Sequence, residues 1–171
     1  MAGPMDYTPG AFRNMTKGNA RPSNSLPQSL GTRSQQMAMY IVYEAPLQML
    51  ADNPTIYAKE QECTSFIAAV PTSFNETKAL DGQLGEYLVM ARRKNDTWFV
   101  GGMTNWTGRD ITVDLSFLPA GEYTAELFRD GINADRDATD YKKDIQTVSN
   151  SRKLTIHLAP GGGFAMRLTK N

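Results

Sequence analysis

Hydrophobic and polar positions follow two different patterns along the chain. Residues 1–36 contain few consecutive apolar residues and are rich in proline and glycine, which is typical of loops. From about residue 71 onward, short runs that alternate apolar and polar residues recur between turn-forming residues. We therefore predict a mostly β protein, with an antiparallel β-sandwich over residues 71–171 and an N-terminal segment of different character.

The predicted strands are short and regularly spaced. The first two are joined across Lys94-Asn95-Asp96, a typical turn sequence. The predicted strands are Leu84–Arg92, Thr97–Thr104, Ile111–Leu115, Glu122–Phe128, Lys153–Leu158 and Gly163–Leu168.

An uninterrupted apolar run, Met37–Tyr43, precedes the predicted sandwich. Its length favours a helix over residues 37–50, bounded by Gly31-Thr32 and kinked or restarted at Pro46. A helix that is apolar on every side must be covered on every side, so further protein is expected to pack on it. A second, amphipathic helix is predicted over residues 55–69, ended by Pro71.

Charge and composition exclude several classes of protein. The 18 basic and 18 acidic residues cancel, so neither a nucleic acid nor a membrane is an expected partner. The single cysteine, Cys63, excludes an intrachain disulfide and is expected to be buried. The opening residues lack the basic and apolar regions of a signal peptide.

Several strings, in order along almost the whole chain, resemble glycoside hydrolase family 97, a family of bacterial α-glucosidases and α-galactosidases. The strings are AGPMDYTPGAF at 2–12, GTR at 31–33, MAMYIVYEAPLQMLADNP at 37–54, VPTSFNETKAL at 70–80, GEYLVMARR at 85–93, DLSFLPAGEY at 114–123, DGINAD at 130–135 and LAPGGGFAMRL at 158–168.

The resemblance implies a position for this chain in a larger enzyme. Enzymes of the family have an N-terminal β-sandwich, a central (β/α)8 barrel and a C-terminal β-sandwich. Residues 1–70 are then expected to be the C-terminal end of the catalytic barrel: its last strand, a long loop and the final helices. Residues 71–171 are expected to be the C-terminal sandwich, which supports the barrel and homo-oligomer assembly.

The resemblance also implies a function. The chain is expected to be the C-terminal fragment of a periplasmic glycoside hydrolase whose substrate is an oligosaccharide, either an α-glucoside or an α-galactoside. The catalytic carboxylates and the ligands of a calcium ion are expected in the part of the parent enzyme that precedes this chain. We therefore predict no catalytic residue, no metal ligand and no glycosidase activity for the chain alone.

Three residues are candidates for substrate binding. Asp6 and Tyr7 are expected at the end of the last barrel strand, where barrel enzymes place their active sites, and Tyr7 could stack on a sugar ring. Arg33 follows a glycine at the start of the last helix and could hold a carboxylate bidentately. Asp6 and Arg33 also have structural interpretations: Asp6 could brace the loop, and Arg33 could form an ordinary ion pair.

Other polar residues have mainly structural interpretations. Glu44 interrupts the apolar helix and is expected to pair with a buried donor, whereas Glu76 is expected at the domain junction. His157, the only histidine, is expected on the solvated side of a strand. Gly161-Gly162-Gly163 leads into a strand rather than a helix, which predicts a turn or bulge and not a phosphate loop.

Two further functions remain open on the residues alone. Asn133, Asp135, Asp137 and Asp144 have the spacing of a calcium loop, but Ala138 replaces its glycine and Asp144 its final glutamate. The sandwich is alternatively an accessory carbohydrate-binding module, in which Trp98 and Trp106 would form an exposed aromatic platform.

Overall fold

The computed structural model describes Pro4 and residues 6–171. In that part of the chain the helices are α1 (Arg33–Val42), α2 (Pro54–Lys59) and α3 (Gln61–Ala69). Two short strands, β1 (Asn14–Met15) and β2 (Ser29–Leu30), precede α1. The remaining strands are β3 (Glu76–Gln83), β4 (Tyr87–Lys94), β5 (Thr97–Thr104), β6 (Arg109–Asp114), β7 (Glu122–Asp130), β8 (Tyr141–Ser149), β9 (Lys153–Leu158) and β10 (Gly163–Lys170).

Most strands belong to one antiparallel sheet. Its six strands lie in the order β3-β4-β5-β10-β7-β8, so the C-terminal strand β10 lies between β5 and β7. Strands β6 and β9 form a separate antiparallel pair, and β1 and β2 a short parallel pair. The large sheet and the β6–β9 pair give the sandwich-like arrangement that the alternating runs predict.

The large sheet is buried on both faces. One face packs against β6 and β9 through a core that includes Trp98, Leu127 and Met166. The other face packs against α1 and α3 through Phe99, Phe128 and Ala165, the neighbours in sequence of those three residues. Since successive side chains of a strand point to opposite faces, each central strand contributes to both cores.

Helix α1 begins and ends where local chemistry dictates. The Thr32 hydroxyl accepts a hydrogen bond from the backbone N–H of Gln35 and caps the helix at its N-terminus. The predicted N-terminal boundary at Gly31-Thr32 is therefore confirmed. The last helical residue is Val42, with Tyr43 as the C-cap, so the predicted helix over residues 37–50 is too long at its C-terminal end. Residues 43–53 are irregular. Pro46 has no backbone N–H to bond to the Val42 carbonyl oxygen, so the helix cannot continue regularly through it.

The other predicted elements are confirmed with shifted bounds, but the short pair β1 and β2 and two strands of the large sheet were missed. The helix predicted over residues 55–69 is two helices, because the chain leaves helical geometry at Glu60. Strands β3 and β8 were not predicted. Among the described residues, no helix is both long and apolar enough to cross a membrane.

The described residues do not contain a recognisable strand-and-helix unit of a barrel. The predicted last barrel strand falls partly on residues 1–3 and 5, which lie outside the described residues. Between residue 6 and α1 the only strands are the two-residue β1 and β2.

Candidate functional site

The junction between the N-terminal segment and the large sheet is the best-defined candidate site. Helix α1 lies directly on β5, where Gly101 allows a close approach. A Cβ atom at Gly101 would lie 3.0 Å from Cβ of Ile41 and 3.1 Å from both the Ala38 carbonyl oxygen and Cγ2 of Val42. A side chain there would push the helix away, so this glycine is required by packing.

Arg33, one of the predicted site residues, organises the N-terminal segment. Its side chain is 2% exposed although it is charged. Nε donates to Oδ1 of Asn14 at 2.6 Å, Nη1 to Oε2 of Glu60 at 2.8 Å, and Nη2 to the Phe12 carbonyl oxygen at 2.7 Å. The guanidinium also lies 4.4 Å from the centre of the Phe12 ring. Each nitrogen of the guanidinium therefore has a partner within the segment that surrounds α1.

Asp130, at the end of β7, connects that segment to the sandwich. Its Oδ2 accepts hydrogen bonds from the backbone N–H groups of Ala159 at 2.9 Å and Gly163 at 3.0 Å. Within the turn that these bonds hold, the Gly161 carbonyl oxygen accepts from the backbone N–H of Thr32 at 3.0 Å. Asp130 thus fixes the turn to which the start of α1 is bonded.

The environment of Asp130 favours its neutral form. Its side chain is 2% exposed, and burial raises its pKa from 3.8 to about 6, against the hydrogen bonds from Thr32, Ala159 and Gly163. Gly162 lets the carboxyl group approach the turn, because a Cβ there would lie within 2 Å of Oδ2. The predicted turn at residues 161–163 is confirmed, and the Asp130 carboxyl group packs against it.

Tyr7 and Asp6 lie at the other end of α1. The Tyr7 hydroxyl donates to the carbonyl oxygen of Met39 at 3.0 Å, and its ring makes an edge contact with Tyr43 at 5.1 Å between centroids. Asp6 is exposed and has no hydrogen bond or ion pair to another described residue. Met39 is six positions beyond Arg33, about 9 Å along a helix. Tyr7 and Arg33 therefore contact separate turns of α1 and do not form one cluster.

The predictions for the remaining polar residues have mixed outcomes. Glu44 is exposed and beyond the end of α1, without an ion pair among the described residues, so its predicted pairing with a buried donor is wrong. Glu76 pairs with Arg93 at 3.0 Å and Lys78 at 3.1 Å, which lowers its pKa. His157 is exposed on β9, as predicted. Its Nδ1 lies 2.7 Å from Oδ1 of Asp110.

The two alternative sites lack the geometry that they need. Asp144 lies in β8 and pairs with Arg129 at 2.8 Å, while Asp137 accepts from Thr139. Within the described ranges no three His, Cys, Asp or Glu side chains are grouped as metal ligands. Trp98 is 2% exposed in the sandwich core, whereas Trp106 is 38% exposed, so the pair forms no aromatic platform.

An apolar surface surrounds the N-terminal segment. Leu47 is 73% exposed in the irregular stretch after α1, and the neighbouring Met49 and Leu50 are 48% and 50% exposed. Leu26, in the loop before β2, and Leu30, in β2, are each about half exposed. Grouped exposed apolar side chains mark contact surfaces more often than isolated ones.

Sequence reasoning singled out Arg33 and Tyr7, as candidates for substrate binding, but missed Asp130. Asp130 stands in an Asp-Gly pair, which reads as turn chemistry, and its acceptor role depends on Ala159 and Gly163, 29 and 33 residues further along the chain. The alternation of β7 gives no signal for it, because Asp130 is out of phase with the alternating buried positions Tyr123, Ala125 and Leu127.

Comparison with known proteins identifies the family. The domain model described as "Glycosyl-hydrolase 97 C-terminal, oligomerisation" matches residues 73–169. A retaining alpha-galactosidase from Bacteroides thetaiotaomicron is 53% identical over 168 residues, which cover 98% of this chain and 25% of that protein. A probable retaining alpha-galactosidase from Streptomyces bingchenggensis is 27% identical over 95% of this chain and 23% of its own length.

Solved structures agree. A glycoside hydrolase family 97 enzyme from Pseudoalteromonas sp. strain K8, in complex with acarbose, matches with a TM-score of 0.88 and 34% identity, covering 99% of this chain and 27% of that chain. A beta-arabinopyranosidase shares the fold at 24% identity and a TM-score of 0.65, covering 80% of this chain and 21% of that chain. The chain spans about a quarter of the length of these relatives. The chain therefore belongs to glycoside hydrolase family 97, through the C-terminal domain of that family.

Proposed function

We propose that this chain forms the C-terminal part of a glycoside hydrolase that acts on α-galactosides, with its sandwich supporting the barrel and the assembly of a homo-oligomer. The observation that carries the proposal is the 53% identity to a retaining alpha-galactosidase, which extends over 98% of the chain. The region of identity therefore includes the loops and helices before the sandwich. The Pseudoalteromonas enzyme in complex with acarbose keeps α-glucosides as the alternative substrate class.

In this proposal residues 1–70 are the end of the catalytic barrel. The buried face of α1 on the sheet and the exposed apolar group at Leu47, Met49 and Leu50 support it. The buried face of α1 explains how the segment is attached to the sandwich. The exposed apolar group supplies apolar surface for the rest of the barrel. The sandwich then fixes the position of the last barrel helix through Gly101 and Asp130.

The proposed contributions to substrate binding differ among the three candidate residues. Asp6 and Tyr7 precede α1 and are the better placed, since Asp6 is exposed and Tyr7 is only half-buried. Arg33 acts indirectly, by holding the loop through Phe12 and Asn14. The catalytic carboxylates, a calcium ion and a periplasmic location are proposed for the parent enzyme on the family relationship alone.

A chimeric enzyme tests this proposal. The corresponding C-terminal quarter of the Bacteroides alpha-galactosidase is replaced by this chain, and hydrolysis of nitrophenyl α-galactoside and α-glucoside is measured. We expect α-galactosidase activity within about tenfold of the parent, because a tenfold change corresponds to only about 1.4 kcal/mol in the activation free energy. A folded chimera without activity, or one active only on the α-glucoside, would contradict the proposal.

The isolated chain provides the complementary measurement. We expect no hydrolysis of either nitrophenyl glycoside above the buffer rate, because cleavage of a glycosidic bond needs a pair of carboxyl groups on either side of it. The proposal assigns both groups to the preceding part of the parent enzyme. Turnover by the purified chain that survives a second purification step would show that the catalytic pair lies in this chain.

A further inference from the structure

Arg92, in β4, is a buried cation whose hydrogen-bonding capacity is largely unused. Its side chain lies on the helix-covered face of the sheet and is 6% exposed. Nη1 donates only a long hydrogen bond, 3.4 Å, to the carbonyl oxygen of Tyr43. Nε is buried without any hydrogen-bond partner. Among the described residues no carboxylate forms an ion pair with Arg92, in contrast to the fully bonded Arg33.

Arg92 borders a pocket of about 350 Å³ between the loop after α1 and the segment that leads into β3. The pocket is also lined by Glu44, Thr72, Ser73, Phe74 and Thr77. Thr77 lies opposite Arg92 in the β3–β4 register, and the Phe74 ring centre is 5.2 Å from the guanidinium carbon. The pocket therefore combines one buried cation, one exposed carboxylate, three hydroxyl groups, one aromatic wall and two prolines, Pro4 and Pro46.

The charge balance of the pocket is positive at its buried end. Burial lowers the pKa of Arg92, and the negative charge of Glu44 opposes that shift. Lys94 donates to Oγ of Ser73 at 3.0 Å and adds a second positive charge at the rim. Glu44, the acidic residue in the lining, is exposed to solvent and forms no ion pair with Arg92. A buried charge without a partner is destabilising, and an anion in the pocket offsets that cost.

We propose that this pocket binds a small carboxylate, held by the end of the Arg92 guanidinium that carries Nη1 and Nη2. Nη1 makes only the long bond to Tyr43, and Nη2 has no hydrogen bond to a described residue, whereas Nε is buried out of reach of a ligand. The N–H groups of this end match the two oxygens of a carboxylate. The hydroxyls of Thr72, Ser73 and Thr77 provide further donors. A neutral sugar satisfies hydrogen bonds but leaves the positive charge unbalanced, so a carboxylate is the better ligand.

Acetate is the probe for this site. The 171-residue chain, labelled with nitrogen-15, is titrated with sodium acetate at constant ionic strength, with chloride as the balancing anion. We expect saturable shifts of the Arg92 Nε–H signal and of the backbone amides of Ser73 and Thr77. The same titration with galactose tests the competing ligand class.

Two variants and a control locate the binding. Arg92→Gln removes the charge and is expected to abolish the saturable shifts. Arg92→Lys keeps the charge but loses the paired N–H groups, and is expected to weaken acetate affinity about tenfold or more. If Arg92→Gln does not fold, the acetate affinity of Arg92→Lys tests the proposal. Arg136→Gln, at a side chain that is 86% exposed, is expected to leave affinity unchanged. No saturable shift in the wild type, shifts that persist in Arg92→Gln, an unchanged acetate affinity in Arg92→Lys, or saturation by galactose alone would overturn the proposal.

Discussion

At the scale of single residues, two buried charged groups organise the structure around α1 in different ways: Arg33 within the N-terminal segment, and Asp130 in the sandwich turn that bonds to it. Arg33 is fully paired, with three short hydrogen bonds from its guanidinium. Asp130 accepts two backbone hydrogen bonds through Oδ2, while its Oδ1 has no partner. The hydrogen bonds of Arg33 stabilise its positive charge, whereas the environment of Asp130 favours the neutral acid. The two residues therefore respond differently to pH and to substitution.

Asp130 makes stability depend on pH in an unusual direction. Its pKa is about 6 in the folded chain against 3.8 for an unperturbed aspartate, so the folded state binds the proton more tightly. Its contribution is complete below pH 3.8 and is lost as the pH rises through about 6, a change of about 3 kcal/mol. Asp130→Asn removes this titration. We expect the free energy of unfolding of the variant, relative to the wild type, to rise by that amount from acidic to neutral pH.

Urea unfolding across that pH range measures the difference. Asp135→Asn, at an exposed carboxylate in the neighbouring loop, is the matched control and is expected to show no such change. A constant difference between Asp130→Asn and the wild type at all pH values would contradict the assignment of a raised pKa.

Arg33 is expected to be intolerant even of lysine. Arg33→Lys keeps the charge but cannot reach Asn14, Glu60 and Phe12 together, because an ammonium group lacks the planar fork of a guanidinium. Leaving buried acceptors unpaired costs about 1–3 kcal/mol each, so we expect a loss of about 2 kcal/mol or more in the free energy of unfolding. Arg13→Lys, whose side chain makes no hydrogen bond or ion pair to another described residue, is expected to stay within about 0.5 kcal/mol. Equal effects of the two substitutions would argue against the role of Arg33.

At the scale of elements, the contact between α1 and β5 decides how the helix sits on the sheet. Gly101→Ala places a methyl group 3.0 Å from Ile41 Cβ, closer than ordinary packing allows. We expect this substitution to reduce the free energy of unfolding by about 1–3 kcal/mol, as overpacking does elsewhere. Chemical denaturation monitored by circular dichroism measures it. Gly18→Ala is the control, since its added Cβ meets only Oγ1 of Thr16 at 4.0 Å. An unchanged Gly101→Ala would show that α1 can move at no cost.

The sequence predicted elements well where burial was one-sided and poorly where tertiary contacts decide. The alternation in β6 and β9 follows their single buried face, and both strands were predicted. The two edge strands of the large sheet, β3 and β8, were missed because their side chains are largely half-buried or exposed on both faces. The end of α1 was also misplaced, since Leu47, Met49 and Leu50 continue the apolar run without being covered.

The candidate site was predictable only in part for the same reason. Arg33 stands next to a helix-start signal that can be read locally. Asp130 acquires its function from backbone groups 29 and 33 residues away, which no local pattern reveals. Arg92 likewise looks like an ordinary member of a charged strand end in the sequence. Only the packing of Tyr43 and Phe74 around it shows that the side chain is buried.

At the scale of the whole molecule, the exposed apolar group after α1 is expected to be a contact surface. The double substitution Leu47→Ser and Leu50→Ser should leave the stability of the isolated chain within about 0.5 kcal/mol, because both side chains are at least half exposed. In the chimera with the Bacteroides enzyme, the same pair should reduce stability or activity. Thermal unfolding and the galactosidase assay measure the two effects. Leu84→Ser, at a fully exposed turn of the sandwich, is the control. Equal tolerance in both contexts would show that the surface makes no such contact.

Assembly is the central claim for the sandwich, and the molar mass in solution tests it most directly. Size-exclusion chromatography with light scattering on the purified chain, over a range of concentrations, gives that mass. The account predicts a discrete species at twice the chain mass or a higher whole multiple, which re-forms when a diluted sample is concentrated again. A single monomeric species at every concentration would contradict the role of this domain in oligomer assembly.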